Sequence, residues 1–459
     1  MHDMTQGSIP RHLLRMAVPI AIGMLFQTAY VLIDLYFVAR LGGAAIAGVS
    51  AAGNLQFIVM GITQVLGVGT MALIAQAVGR KDQADANLVF NQSLLLSAGC
   101  GVLVLLAGYA FAAGFMRTFG ADAATAAAGT TYLYWFLPGL ALQFALISMG
   151  SALRGTGIAK PTMLVQMVTV VLNAVLAPVL IAGWGTGIAL GVAGAALASS
   201  LSIGVGVVLM TLYFARLEHY VGFDRSLQRA RPDVWKRILR IGLPPGGEFL
   251  LMFVFIGVVY WVIRDFGANA QAGFGIGSRV MQAAFLPVMA IAFAASPVAA
   301  QNFGAGHAQR VRETFRIAAW YGGVIMLGLT LLCQWRPELL VRGFTHDAGV
   351  LAVASEFLAY ISWNFLASGL VFTCSGMFQA LGNTLPALFS TATRLLTFGV
   401  PALWLSRQPG FELRQLWLLS MATVALQAIV SLGLLRREFR RRLPAATART
   451  TAAAQPATE

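Results

Sequence analysis

The chain has 459 residues, 58% of them hydrophobic and 10% charged, with a formal net charge of +14 and a mean hydropathy of +0.77. Soluble domains carry roughly a quarter charged residues, so this composition excludes a soluble enzyme. A nucleic-acid binder gathers its cations on one solvated surface; here they fall in short segments between apolar runs, so the charge reads as topology and no nucleic-acid partner is expected.

Windows of about 20 apolar residues, the length that crosses a bilayer as a helix, divide the chain into spans. They fall near 13–39, 46–73, 90–114, 130–153, 162–183, 188–214, 241–263, 270–299, 315–334, 350–378, 385–405 and 413–435. Arg11 and Arg15 precede the first run as they would in a signal peptide, but the run continues past Ile33 with no small-residue cleavage site, so it reads as a retained membrane helix. Of the 31 Lys and Arg, 22 fall on the side of the amino terminus, seven on the other side, and two, Arg279 and Arg394, inside helices. The positive-inside rule then places both termini and the loop from Arg216 to Arg240 in the cytoplasm of a multi-pass protein of the cytoplasmic (inner) membrane. That basic loop divides the chain near its midpoint, giving a first lobe over 1–225 and a second over 226–443. The run from Arg436 to Arg442 is expected against anionic headgroups, and the Ala- and Thr-rich tail over 444–459 is expected to be disordered and cytoplasmic. Cys100, Cys333 and Cys374 lie in or beside apolar stretches with no CxxC pair, which argues against disulfide or metal chemistry.

The two halves carry a repeat at a constant offset of 225 residues. Pro19 aligns with Pro244, Gly42 with Gly267, Ala47-Gly48 with Ala272-Gly273, Ala75-Gln76 with Ala300-Gln301, Gly79 with Gly304, Gly157 with Gly382 and Pro161 with Pro386, without a gap. Gly and Pro fix backbone geometry at helix ends and kinks, whereas lipid-facing positions drift, so these landmarks carry the duplication. Six helices per half is an even number, so the halves share one orientation and are related by an axis along the membrane normal. Parallel repeats of this kind are a transporter signature, with substrate between the lobes and alternating access by their rocking.

Asp34 is the sharpest feature of the chain. It lies deep in the first apolar run with no basic residue one helical turn away, and such a carboxylate is costly unless it protonates, binds a cation or faces water. Gln27 and Tyr30 share its face at i−7 and i−4, forming a hydrogen-bonding stripe with Phe37 beyond it. Pro19 precedes Asp34 by 15 residues, so a kink there can swing the Asp34 segment or simply bend the helix statically. Asn54, Gln64, Gln143, Gln166 and Asn173 add polar groups to the first-half helices, each able to bond another helix or to line a cavity. In the second half, Glu248 near the start of the seventh helix reads either as a second ion carboxylate or as the partner of a loop arginine. Arg279 and Arg394 either line a cavity or neutralise carboxylates. Met252, Met281, Met289, Met326 and Met377 suit core packing or lipid contact, with an adaptable drug surface as the alternative. The five His fall in termini or loops, and no GxSxG, HExxH or paired intramembrane acids occur, so no enzyme activity is expected.

Several segments together resemble the multidrug and toxic compound extrusion (MATE) family. They are Pro19-Ile20 with Asp34-Leu-Tyr-Phe-Val-Ala-Arg-Leu-Gly42, Ala75-Gln-Ala-Val-Gly-Arg-Lys81, and Leu153-Arg-Gly-Thr-Gly-Ile-Ala-Lys-Pro161 with its counterpart Gln379-Ala-Leu-Gly-Asn-Thr-Leu-Pro386. Leu172-Asn173 followed by Gly191-Val-Ala-Gly-Ala-Ala196, and Ala300-Gln-Asn-Phe-Gly-Ala-Gly306, agree as well. The resemblance spans the chain except its tail. It implies an all-α polytopic membrane protein of twelve transmembrane helices, in two pseudo-symmetric six-helix lobes forming a V-shaped central cavity. It also implies export of organic, often cationic, compounds by a monomer in exchange for H+ or Na+, with no cofactor besides that coupling ion. The partners implied are a small organic substrate and the lipid bilayer. Asp34 matches the family's ion-binding carboxylate, and Asn173 its fifth-helix Asn, so Na+ at Asp34 and Asn173 is one form of the coupling. Gln27 and Tyr30 match cavity residues, with Asn54, Gln64, Gln143 and Arg279 as further candidates for the substrate cavity, and Pro19 matches the helix-1 hinge. The chain departs from many relatives where Ala177 replaces a second acid and where Met252-Phe253 and Val371-Phe372 replace acids on the seventh and tenth helices. Coupling is therefore expected to rest on Asp34 alone in the first lobe. A lipid-linked saccharide flippase or an exporter of one metabolite on the same fold is the alternative; a pyrophosphate cargo calls for several cavity arginines, and only Arg279 and Arg394 are candidates.

Overall fold

A computed structural model describes residues 1–119, 122–185, 187–345 and 347–443. The tail over 444–459 lies outside the described residues. The elements are helices α1 (Ile9–Ala39), α2 (Gly43–Gly79), α3 (Gln83–Phe119), α4 (Ala123–Gly155), α5 (Lys160–Ala182), α6 (Val192–Arg216), α7 (Pro232–Ile263), α8 (Ala268–Gly304), α9 (Ala308–Trp335), α10 (Pro337–Val341), α11 (Ala348–Ile361), α12 (Phe365–Ala380), α13 (Leu385–Leu405) and α14 (Leu413–Arg442). Among the described residues, 12 helices are long and apolar enough to cross a membrane, α11 and α12 counting as one span from Ala348 to Ala380. At 37 residues each, α2 and α8 run for about 55 Å and outreach the roughly 30 Å hydrocarbon core.

The repeat read in the sequence recurs in the helix ends. α2, α3, α4 and α5 begin at 43, 83, 123 and 160, and α8, α9, α11 and α13 at 268, 308, 348 and 385, the same offset of 225 throughout. Gly42 and Gly267 cap α2 and α8 at φ +104° and +87°, and Gly157 and Gly382 take φ +81° and +71°, a region that a side chain disfavours.

The chain forms two compact units, and they do not divide at residue 225. The first holds Met1–Asp3 and Val18–Gly246; the second holds Met4–Ala17 and the described residues from Gly247 onward. The physical reason lies at the starts of α1 and α7. α7 begins at Pro232, nine residues before the span expected from hydropathy, and its first part lies directly on α2. Gly242 meets the Val65 carbonyl and Gly69 meets the Ile238 carbonyl with no room for a methyl group between the backbones. Arg237 adds a bidentate pair to Asp85 at the start of α3 (2.9 and 3.0 Å), and Arg80 holds the same carboxylate at 2.8 Å. Conversely, the segment entering α1 belongs to the second unit, where Met4 N donates to Gln301 Oε1 (2.9 Å), Asn302 Nδ2 donates to Met4 O (3.1 Å) and Arg310 Nη1 donates to Gly7 O (3.0 Å).

Within the first unit α2 packs chiefly on α4, α4 also on α3 and α6, and α5 on α6. In the second, α8 packs on α9, α11 and α12, and α13 on α14. A 3-10 turn at Ser362–Asn364 interrupts the tenth span, and backbone carbonyls freed inside a membrane need partners. α9 supplies them: Gln334 Nε2 donates to Ala359 O (2.5 Å) and Thr330 Oγ1 to Ser362 O (2.8 Å).

Candidate functional site

Asp34 lies in α1, 9% exposed, within the first unit. Four helices bring polar atoms to it. From α4, the Tyr132 hydroxyl lies beside the carboxylate. From α1 itself, Tyr30 lies one turn away, with its hydroxyl beside Ser199 of α6. Ser199 Oγ in turn accepts from Asn173 Nδ2 of α5 at 3.2 Å. Asn173 and Tyr30 thus both lie beside Ser199. Three buried oxygens here have no hydrogen-bond partner: Asp34 Oδ1, Asn173 Oδ1 and the Tyr30 hydroxyl. Buried polar atoms are rarely left unpaired, and three such oxygens are of a kind that could take up a proton or cation. Arg40, the nearest cation along α1, is engaged elsewhere: its guanidinium stacks 4.5 Å over the Tyr36 ring and bonds the Tyr36 hydroxyl.

Seven residues before Asp34 on the same face, Gln27 Oε1 accepts from Gln166 Nε2 of α5 at 2.8 Å. Gln166 and Asn173 are themselves seven residues apart, so they share one face of α5. A double-mutant cycle on Gln27→Leu and Gln166→Leu, followed by SDS unfolding of the purified protein, is expected to give a coupling of about 0.5–1.5 kcal/mol. Additive single effects would show that the two carboxamides do not act as a pair. One turn beyond Asn173, Ala177 is fully buried and puts a methyl where an acid would extend the cluster.

Among the described residues, no hydrogen bond ties Asn54, Gln64 or Gln143 to this cluster. Asn54 is exposed on α2 and donates to Ala51 O of its own helix (3.2 Å). Gln64 on α2 and Gln143 on α4 are half-buried, and Arg279 is exposed on α8 of the second unit. Pro19 is buried inside α1, which continues through it as one helix. Glu248 is not near the start of its helix: because α7 begins at Pro232, it lies 16 residues in, with Oε1 buried and unpartnered. Arg394 of α13 places its guanidinium 4.5 Å over the Phe255 ring of α7, with Nε unpartnered. Met326 and Met377 are fully buried, as core packing requires, whereas Met252 is exposed. Tyr132 and Ser199 were not legible as site residues. Each is one of several hydroxyls in its helix, and only the packing of α4 and α6 against α1 and α5 distinguishes it from others of its kind.

A family model described as MatE matches the chain twice, over residues 19–179 and 245–405, one match in each half. A probable multidrug resistance protein of Bacillus subtilis (strain 168), YoeA, is 26% identical over 437 residues, covering 94% of each chain. The multidrug export protein MepA of Staphylococcus aureus (strain MRSA252) is 26% identical over 379 residues, 81% of each. Among solved structures, a MOP superfamily transporter from Pyrococcus furiosus Vc1 (DSM3638) shares the fold with a TM-score of 0.88 at 24% identity, over 95% of this chain and 97% of that one. Two matched repeats, twelve spans and a buried carboxylate on the first of them lead to one conclusion: the chain belongs to the MatE family.

Proposed function

We propose that the protein is a cation-coupled antiporter that exports organic, cationic or amphipathic compounds across the cytoplasmic membrane by alternating access. The observation that carries this reading is Asp34, a membrane-buried carboxylate with an unpartnered oxygen, one helical turn from the unpartnered Tyr30 hydroxyl. The relatives described as multidrug resistance and export proteins support the substrate class.

The chemistry follows from charge. A carboxylate in a low-dielectric site is stabilised by protonation or by a cation, and only one can be served at a time. With the site open outward, Asp34 takes up the coupling ion, its charge is neutralised and a cationic substrate is released. With the site open inward, the ion leaves and the anionic carboxylate receives the next substrate. Tyr132, beside the carboxylate, and Gln27, bonded to Gln166, hold the α1 face in place, and Pro19 is the point where α1 yields during the exchange. We take H+ as the coupling ion, since the partners of Asp34 are neutral hydroxyls and a single carboxylate suffices for one proton. Na+ is the second reading, favoured by the three unpartnered oxygens, which form part of a ligand set for a hard cation. Asn54, Gln64, Gln143 and Arg279 are assigned to the substrate path, the loop between α6 and α7 and both termini to the cytoplasm, and the working form to the monomer.

Reconstitution in vesicles tests this directly. Efflux of a fluorescent organic cation is expected under an imposed pH gradient and not under a Na+ gradient alone. The reverse result would assign the site to Na+, and no efflux under either gradient, with movement of a lipid-linked saccharide instead, would overturn the antiporter reading.

A further inference from the structure

The segment between α6 and α7 is tied along one face of α3. Gln83, Asn87 and Asn91 stand four residues apart and share that face, with Gln92 beside them. Asn87 Oδ1 accepts from Gly222 N (2.9 Å), Asn91 Nδ2 donates to Gly222 O (2.9 Å), and Asn91 Oδ1 accepts from Asp224 N (3.0 Å). Gln92 Nε2 donates to Leu227 O (2.6 Å) and Arg229 O (2.7 Å), and its Oε1 accepts from Arg231 N (2.9 Å). Gln83 Nε2 donates to Tyr220 O (2.9 Å). A carboxamide carries the donor and acceptor of a peptide group, so these side chains give the strap the backbone partners that a neighbouring strand would supply. Asn91 and Gln92 are almost fully buried, and the Phe223 ring is anchored against Phe90 (5.8 Å) and Phe214 (6.0 Å). The polar loop read in the sequence is therefore a fastened strap.

What the strap presents outward is cationic. Arg216, Arg225, Arg229 and Arg231 are exposed, followed by Lys236 and Arg240 at the start of α7. Nearby acids are mostly engaged: buried Glu218 accepts from Tyr220 N (3.0 Å), Asp85 is held by Arg237 and Arg80, and Asp224 accepts from the Ser226 hydroxyl (2.6 Å) and amide (2.8 Å). The Ser226 bonds hold the Asp224 carboxyl below the usual carboxylate range. Asp233 is exposed in the first turn of α7. Amid these cations, Leu217 is 66% exposed at the point where α6 ends.

We propose that the strap over 216–231 is a docking surface for anionic phospholipid headgroups, with Arg216, Arg225, Arg229 and Arg231 binding the phosphates and Leu217 entering the acyl boundary. The strap joins the ends of two membrane spans and lies on a third, which sets it at headgroup level, and exposed arginines beside an apolar anchor suit an interface rather than an aqueous polyanion. Tying the backbone to α3 lowers the ordering entropy that a mobile basic loop loses on binding. This inference is independent of the transport reading.

The full-length protein in nanodiscs of phosphatidylcholine, containing a minor fraction of photo-crosslinking phosphatidylglycerol, provides the test. Labelled peptides are expected within 216–231 in the wild type. Labelling there is expected to fall about tenfold in Arg216→Gln/Arg225→Gln/Arg229→Gln/Arg231→Gln, whose positions are all exposed and whose fold is kept. The same change at Arg436, Arg437, Arg440 and Arg441 removes equal charge and is expected to leave strap labelling within about twofold. Equal labelling of the strap in the wild type and the strap variant would overturn the proposal. So would displacement of the lipid by millimolar inorganic phosphate, which would make the surface a free-phosphate site.

Discussion

Asp34→Asn is expected to reduce gradient-driven efflux to the level of empty vesicles while leaving the protein folded and at least as resistant to heat as the wild type. The two parts of this expectation share one cause. Asn has nearly the shape of Asp and keeps an oxygen for the Tyr132 hydroxyl to reach, so the packing of α1 against α4 is preserved. It cannot take up or release a proton, and it offers no charge to attract a cationic substrate. Removing a buried ionisable group that has no ion pair among the described residues also removes its desolvation cost, which is why stability holds or rises. Gains of stability with loss of activity are characteristic of sites that hold an uncompensated group for function. The measurements are efflux of a fluorescent cation from vesicles and thermal melting in detergent. Full energised efflux by the variant would remove Asp34 from the mechanism. A folding defect would instead make it a structural residue, and Asp34→Glu, which keeps the charge, would then share that defect.

Gly242→Ala is expected to be among the most damaging substitutions outside that site. The added methyl has no vacant volume to enter, because it collides with the Val65 carbonyl oxygen and carbon, which are backbone atoms and cannot rotate away. α7 would have to lift from α2, loosening the Gly69 contact with Ile238 and the bidentate Arg237–Asp85 pair about one and a half turns away. Overpacking of this kind costs about 1–3 kcal/mol, and the rigid backbone on both sides puts this case at the upper end. Gly99→Ala is the matched control, since a methyl at Gly99 of α3 meets nothing within 4 Å. SDS unfolding of the two variants is expected to separate them by about 2–3 kcal/mol. Equal stabilities would mean that the α2–α7 contact is not close enough to matter.

Much of the architecture is legible in the sequence. Twelve spans could be read because the bilayer demands about 20 apolar residues with internally satisfied backbones, a requirement each segment meets without reference to its neighbours. The duplication was legible for a related reason: Gly42 with Gly267, and Gly157 with Gly382, serve local backbone conformations that recur in both halves. Asp34 stood out because a carboxylate in an apolar run is conspicuous whatever surrounds it. Local rules failed where a residue's meaning depends on a partner far along the chain. Hydropathy started α7 near residue 241, because Arg237 and Arg240 look like loop residues. Arg237 is helical, held by Asp85 152 residues earlier in the chain. The basic segment after α6 looked like a linker because the carboxamides that fasten it lie on α3.

The sequence by itself determined the class of the protein: a duplicated, all-helical membrane protein with a single acid deep in its first half. Membrane insertion and helix formation are decided segment by segment, so hydropathy and spacing suffice. Only the tertiary structure decided what surrounds that acid. Tyr132 lies beside Asp34 and Ser199 beside Asn173, while Asn54 bonds its own helix, because a hydroxyl or carboxamide becomes part of a site through the helix packed against it, and packing is a property of pairs of helices rather than of either sequence alone.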